Sequence, residues 1–395
     1  MVRPLDGIRV LDFTHVLAGP FAARILGDMG ADVVKVVSEA RPGNTPVGPY
    51  YRMWNRNKRA LALDMSTERG REIARALAER ADIVIENFSP GVLDRWGVGY
   101  EAVSEANPGV IYVQMSGMGD GGPWRDFVSF APTVHALSGL TYLTGVPGRE
   151  DIGIGNSFND HQAGLHGATV VLAALEHRHA TGRGQRVDFA QYELAVALTG
   201  ASLLDYFANG NVQQPAANRH QYEVVAPHDT YPCAGDDRWV AISVMTEAQW
   251  HRFRAVLGDP EWTHDPRFDA AEGRLEHAEE VDRHISDWTS ALDPYEVQEL
   301  LQAAGVPAGV VQTGADLIHR DPQLAHSGAF GETEDTGAYE QRTPVDRLPL
   351  HFSRTPVDQY RAPRAVGADN VAVLGEWLDM PEDDVHSEEA SGTLR

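Results

Sequence analysis

Short apolar runs, rich in β-branched residues, recur along the first third of the chain, and stretches with helical spacing lie between them. Ile8-Arg9-Val10-Leu11-Asp12-Phe13 predicts a strand, Leu17-Ala18-Gly19-Pro20 a turn, and the residues through Leu26 a helix. Gly30-Ala31-Asp32 then leads into Val33-Val34-Lys35-Val36-Val37, the kind of run that is buried on both faces of a parallel sheet. Ser66 reads as the cap of a helix whose body runs from Arg69 to Leu77, and Ile83-Val84-Ile85 and Val110-Ile111-Tyr112-Val113 read as two more strands. Strands separated by helices of this length imply a doubly wound parallel sheet, so the fold class is α/β and Rossmann-like.

From Asp160 onward the pattern lengthens. Leu165, Val171, Leu172 and Leu175 keep helical spacing from His161 to roughly Thr181, and glycine ends that helix in Thr181-Gly182-Arg183-Gly184-Gln185. Val187-Asp188-Phe189 predicts a strand and Tyr192 to Phe207 one apolar helix. Residues 208–226, rich in Gly, Asn, Gln and Pro, read as a linker. A smaller α+β domain follows over 227–327, with strands at Trp239 to Val244 and Val306 to Val311 around a charged helical stretch. The expected organisation is therefore a large domain over 1–207 to which the chain returns over 328–395, ending in a helix from Asn370 to Leu378. The acidic, Ser/Gly-containing segment Asp383 to Arg395 is expected to be disordered.

Composition narrows the partners. Length alone suggests about two to three domains. A formal charge of −24 argues against nucleic acid, which requires a basic field, but leaves room for a phosphorylated small molecule held by a local cation cluster. Cys233 is the only cysteine, so no internal disulfide can form, in keeping with a reducing cytoplasm. No stretch approaches the ~20 apolar residues of a membrane-spanning helix, and Met1 to Phe13 carries too many charges for a signal peptide.

Two familiar motifs fail on their context. Gly117-Met118-Gly119-Asp120-Gly121-Gly122 fits the dinucleotide pattern, but Pro123-Trp124-Arg125-Asp126 follows where a helix should open onto the pyrophosphate. His177 and His179 lie two apart on a helix and so face different sides, and neither HExxH spacing nor a GxSxG elbow occurs; no metal site is expected.

Two features remain informative. Arg52, Arg56, Asn57, Lys58 and Arg59 gather beside Trp54, just after the Gly/Pro-rich loop from Pro42 to Pro49. They are either a solvated face or a phosphate-binding cluster at the strand ends. Asp160 opens the long helix, where it serves either as an N-cap or as a carboxylate nucleophile kept ionised by the helix dipole. Local sequence does not separate the two.

Several blocks in order resemble the class III CoA-transferases of the CaiB/BaiF type, a family that includes formyl-CoA transferase and related acyl-CoA racemases. They are Pro4-Leu5-Asp6-Gly7-Ile8-Arg9-Val10-Leu11-Asp12-Phe13-Thr14-His15-Val16-Leu17-Ala18-Gly19-Pro20, Gly30-Ala31-Asp32-Val33-Val34-Lys35, Asn57-Lys58-Arg59 with Leu63-Asp64, Glu86-Asn87-Phe88 with Pro90-Gly91, Leu93-Asp94-Arg95, Ala173 to Gln185, and Gly305-Val306-Pro307 with Asp321-Pro322-Gln323. The resemblance implies a Rossmann-like large domain, a small domain and an interlocked homodimer. It implies acyl-CoA and a carboxylic acid as substrates, with coenzyme A entering as a thioester co-substrate and no tightly bound cofactor. Asp160 matches the family's catalytic aspartate, and CoA contacts fall on His15, Val16, Leu17, Ala18, Leu63, Asn87, Phe88 and Arg95, with Arg41 and Lys58 as further cations. In such chemistry the aspartate forms a mixed anhydride and then an aspartyl-CoA thioester.

The departures are local. Leu17 replaces a glutamine of formyl-CoA transferase, which suits a larger or less polar acyl group. Ser38 and Ser66 replace basic residues, and Arg41 is placed to substitute for the first. The formyl enzyme's glycine-rich active-site loop has no counterpart, since residues 208–226 are shorter and polar. Phe130 occupies the place of the racemases' second base, leaving His135 and His161 as nearby alternatives for a proton-transfer reading; a non-catalytic CoA-binding protein, with Asp160 a mere cap, is the third reading.

Overall fold

The computed structural model describes residues 2–38, 48–149, 153–333 and 344–395. The chain divides into two compact units, one built from residues 1–141, 152–213 and 324–395, the other from 142–151 and 214–323.

The first unit carries a six-stranded sheet. In chain order its elements are β1 (Arg9–Asp12), α1 (Ala18–Asp28), β2 (Asp32–Val37), α2 (Pro49–Asn55), β3 (Lys58–Ala62), α3 (Glu68–Arg80), β4 (Ile83–Glu86), α4 (Val92–Arg95), α5 (Tyr100–Ala106), β5 (Ile111–Gln114), α6 (Ala131–Leu137), α7 (Leu140–Leu143), α8 (Phe158–Thr181), β6 (Gln185–Asp188), α9 (Gln191–Leu198) and α10 (Gly200–Asn209). The strand order is β3-β2-β1-β4-β5-β6 and every pairing is parallel, so the α/β reading of the sequence is borne out. Alternate residues explain the continuous apolar runs. Leu11, Val34, Val84 and Tyr112 enter one core with α3 and the helix Asn370–Leu378; Val10, Val33, Ile83, Ile85 and Ile111 enter a second with α1 and α8.

Four expectations are corrected. Strand β3 lies inside the Arg/Lys run that the sequence presented as a loop cluster, because its charges are neutralised internally (below). Thr67, not Ser66, caps α3, accepting from the Gly70 amide, while the Ser66 hydroxyl donates to Asp64 Oδ1 at 2.6 Å. The single helix expected over Tyr192 to Phe207 breaks at Thr199-Gly200 into α9 and α10, as a glycine in a helix permits. The acidic terminus is also ordered, since Glu382–Ser391 forms a helix. Glu382, Asp383 and Asp384 lie in its first turn, where the dipole favours them, and Val385 and Leu394 are buried in the first core.

The second unit holds a three-stranded antiparallel sheet of His228–Pro232, Trp239–Ser243 and Ala308–Val310, packed by helices around Trp250, Phe253 and Phe268.

Candidate active site

The parallel sheet reverses direction of growth at β1, and ligands bind outside the carboxyl ends of strands at such a point. A cleft of about 730 Å³ opens there. Its walls are Phe13 and Val16 after β1, Val37 and Ser38 after β2, Leu63 after β3, Asn87 and Phe88 after β4, and Ser116 after β5, closed on one side by Ser129 and Phe130.

Beneath this cleft lies a buried ionic centre. Asp12, at the end of β1, accepts from the Thr14 amide (2.7 Å) and hydroxyl (2.5 Å), from Lys35 Nζ (3.2 Å) and from Lys58 Nζ (2.8 Å). Burial alone would raise the Asp12 carboxyl; the two ammonium groups override it and hold Asp12 well below the usual range. Lys58 also donates to Pro20 O and Asn55 Oδ1, and burial lowers it to about 8. Lysine 58 therefore does not face a phosphate. Its neighbours behave the same way. Arg56 grips Asp28 at 2.6 Å with both side chains fully buried, and Arg59 pairs with Asp32 and Glu376. The cation cluster is a structural network that joins three strands and α1, and stripping one partner from such a pair costs about 3–5 kcal/mol.

The β1–α1 turn is over-determined. The His15 amide donates to Asn87 Oδ1 (2.7 Å) and Asn87 Nδ2 donates back to the His15 carbonyl (2.8 Å), while the His15 and Phe88 rings meet at 5.0 Å. Val16 is thereby held at φ +67°, a left-handed conformation that a β-branched residue adopts only when its surroundings impose it. A Cβ on Gly19 would lie 2.4 Å from Thr14, so the turn also needs that glycine. Underneath, Glu86 accepts from the Phe88 amide (2.6 Å) and from Gln114 Nε2 (3.1 Å); burial pushes its carboxyl up to about 7. In the sequence Glu86 stands out only as part of the Glu86-Asn87-Phe88 block, with no role of its own.

His15, Val16, Leu63, Asn87 and Phe88 all line the cleft, as do Ser38 and Ser66. Leu17 and Ala18 are buried at the start of α1, 2% and 1% exposed, and do not line the cleft. Arg95 is exposed at the end of α4, and Arg41 lies outside the described residues. The glycine run from Gly117 opens no helix, as its flanking residues foretold.

Asp160 is the third residue of α8, not its cap; Ser157 holds the cap position and makes no side-chain capping bond. The first turn lies against α1 and α2: the His161 ring meets Phe21 at 5.8 Å and Trp54 at 5.2 Å, and Tyr50 feels the Asp160 charge. Burial raises the Asp160 carboxyl to about 6, and among the described residues no other side chain hydrogen-bonds or ion-pairs with it. The neighbouring His161 pulls the other way but does not outweigh burial, so the carboxylate is weakly solvated and only partly countered, which suits a nucleophile. No three His, Cys, Asp or Glu side chains among the described residues could hold a metal ion, and no described helix is long and apolar enough to cross a membrane.

The family model described as CoA-transferase family III matches residues 5–370. The chain belongs to the family III CoA-transferases. It is thus a transferase by class. Among these CoA-transferases, succinyl-CoA–L-malate CoA-transferase beta subunit of Chloroflexus aurantiacus is 35% identical over 394 residues, covering 97% of this chain and 96% of its own. Succinyl-CoA–D-citramalate CoA-transferase of the same organism is 33% identical over 399 residues, covering 97% and 96%. Formyl-CoA:oxalate CoA-transferase of Streptomyces avermitilis is 30% identical over 419 residues, covering all of both chains. The crystal structure of a CaiB/BaiF family protein from Brucella suis superposes with a TM-score of 0.86 at 30% identity, over 95% of this chain and 100% of that one.

Proposed function

We propose that this family III CoA-transferase moves coenzyme A from an acyl-CoA to a carboxylic acid through covalent intermediates on Asp160. The observation that carries the reading is the Asp160 carboxyl itself: partly desolvated, without a side-chain hydrogen-bond partner among the described residues, and at the start of a 24-residue helix that lies against α1 and α2. Its oxygen attacks the donor thioester carbonyl, the C–S bond breaks, and CoA leaves as thiolate from an aspartyl–acyl anhydride. The thiolate then attacks the Asp160 carbonyl, expelling the donor as its free carboxylate and leaving an aspartyl-CoA thioester. The acceptor carboxylate attacks that thioester and the thiolate returns once more to the acceptor's carbonyl, so acceptor-CoA leaves and Asp160 is regenerated. Every nucleophile is already an anion, so no base is required.

The cleft over β1 and β4 takes the CoA moiety, with His15, Val16, Leu63, Asn87 and Phe88 against it. Succinyl-CoA is the donor favoured by the named activities of two relatives above, with a four- or five-carbon dicarboxylic acid as acceptor. We further read the enzyme as a cytoplasmic homodimer with no tightly bound cofactor; α10 has no buried residue and exposes Leu204 and Phe207, which supports a second copy covering it.

Asp160→Ala is expected to lower succinyl transfer by roughly three orders of magnitude or more, with CoA binding retained. Hydroxylamine trapping followed by peptide mass spectrometry should mark Asp160 in the wild type alone. Wild-type turnover in Asp160→Ala would overturn the mechanism.

A further inference from the structure

The first turn of α8 is capped from outside. The first amides of a helix find no partner within it and must be met from outside. Phe158 donates to the Asn156 carbonyl at 2.7 Å and His161 to the Ser157 carbonyl at 3.2 Å. The Asn159 amide donates at 3.3 Å to Nε2 of His135, a residue 24 positions earlier on α6. Local sequence supplies nothing for that amide, since Ser157 makes no capping bond. His135 is 3% exposed and Asn159 fully buried, so water does not compete.

An amide can only donate, so Nε2 must present its lone pair and the ring proton sits on Nδ1. Burial holds the imidazole below its ordinary range, which keeps that lone pair available at neutral pH.

We infer that His135 is a positioning residue for acyl transfer, acting as a tertiary N-cap that fixes the helical turn carrying Asp160. The inference rests on the reading of Asp160 as nucleophile. The residues adjoining Asp160 on both sides bind fixed groups: Asn159 the His135 ring, and His161 the Ser157 carbonyl through both its amide and Nδ1 (2.8 Å). Loss of the first anchor frees the turn, and a misplacement of about 1 Å in a reacting group costs ~100-fold in rate.

The test compares His135→Leu, which keeps apolar bulk but offers no acceptor, with His135→Gln, whose Oε1 can accept from the same amide. In steady-state transfer from succinyl-CoA, His135→Leu should lose ~30–100-fold in kcat while KM for the acyl-CoA stays within about twofold. His135→Gln should recover kcat to within about threefold of wild type. Hydrogen exchange should quicken at residues 158–161 in the leucine variant and not in the glutamine one. Wild-type kcat in His135→Leu, equal losses in both variants, or a change confined to KM would each overturn the inference. If the leucine variant fails to fold, His135→Gln decides alone: near-normal kcat upholds the cap and a large loss overturns it. Full activity in Asp160→Ala would instead sink the nucleophile reading, so the two failures are distinguishable.

Discussion

Asp160 must be ionised to attack a thioester, and its carboxyl is raised to about 6 by burial. The neutral form is therefore favoured by the fold and the charged form by the chemistry. Transfer rate should climb as pH rises through about 6 and level off above it, which a kcat profile from pH 5 to 8 will check. The stability consequence has the opposite sign. A raised carboxyl contributes stability that is complete below the ordinary value of 3.8 and is lost as pH climbs through about 6. Asp160→Asn removes that loss and should stabilise the protein by about 1–3 kcal/mol at pH 7.5, read by urea unfolding, with no gain at pH 4. Little of this was legible beforehand. Ser157, Asn159 and Asp160 are all cap-forming types within four residues, and only the backbone reveals that the aspartate lies inside the helix, at its third residue. Nor could spacing pair His135 with an amide 24 residues away.

Helix α8 reaches its place through small residues. A Cβ on Gly164 would lie 2.7 Å from Phe21 Cδ1 and 2.9 Å from Phe21 Cβ, so α1 and α8 touch closely just one turn beyond Asp160. Gly164→Ala should force the helices apart, costing about 1–3 kcal/mol in urea unfolding, and should lower kcat, because the displaced turn is the one carrying the carboxylate. At Gly167 the nearest obstacle is the flexible end of Met115, so the same change there should cost less. Strands β1, β2, β4 and β5 were legible because apolar β-branched runs buried on two faces look like little else. Strand β3 was not. Its Lys58 and Arg59 are answered by Asp12, Asp32 and Glu376, and a charge neutralised from distant sequence reads as an exposed loop until the partners are seen.

The large unit is assembled from three separate stretches of chain, and the last of them is structural. Trp377, Val385 and Leu394 are buried beside Leu11, Val34 and Val84 in one core, Trp377 Nε1 donates to Asp32 at 2.9 Å, and the Asp64 amide donates to the Thr393 carbonyl at 2.8 Å. Removing residues 381–395 should lower stability by about 3–5 kcal/mol, since two apolar side chains leave the core and their neighbours lose cover; calorimetry will read it as a fall in Tm. Composition misled here: an acidic face conceals the two apolar residues that dock the segment. The interrupted layout has a further consequence for synthesis on the ribosome. The second unit, residues 142–151 and 214–323, is complete in the growing polypeptide before residues 344–395 exist. The part of the protein that begins first is thus finished last, and the sheet that bears the cleft must wait, with one core open, for the helices that close it.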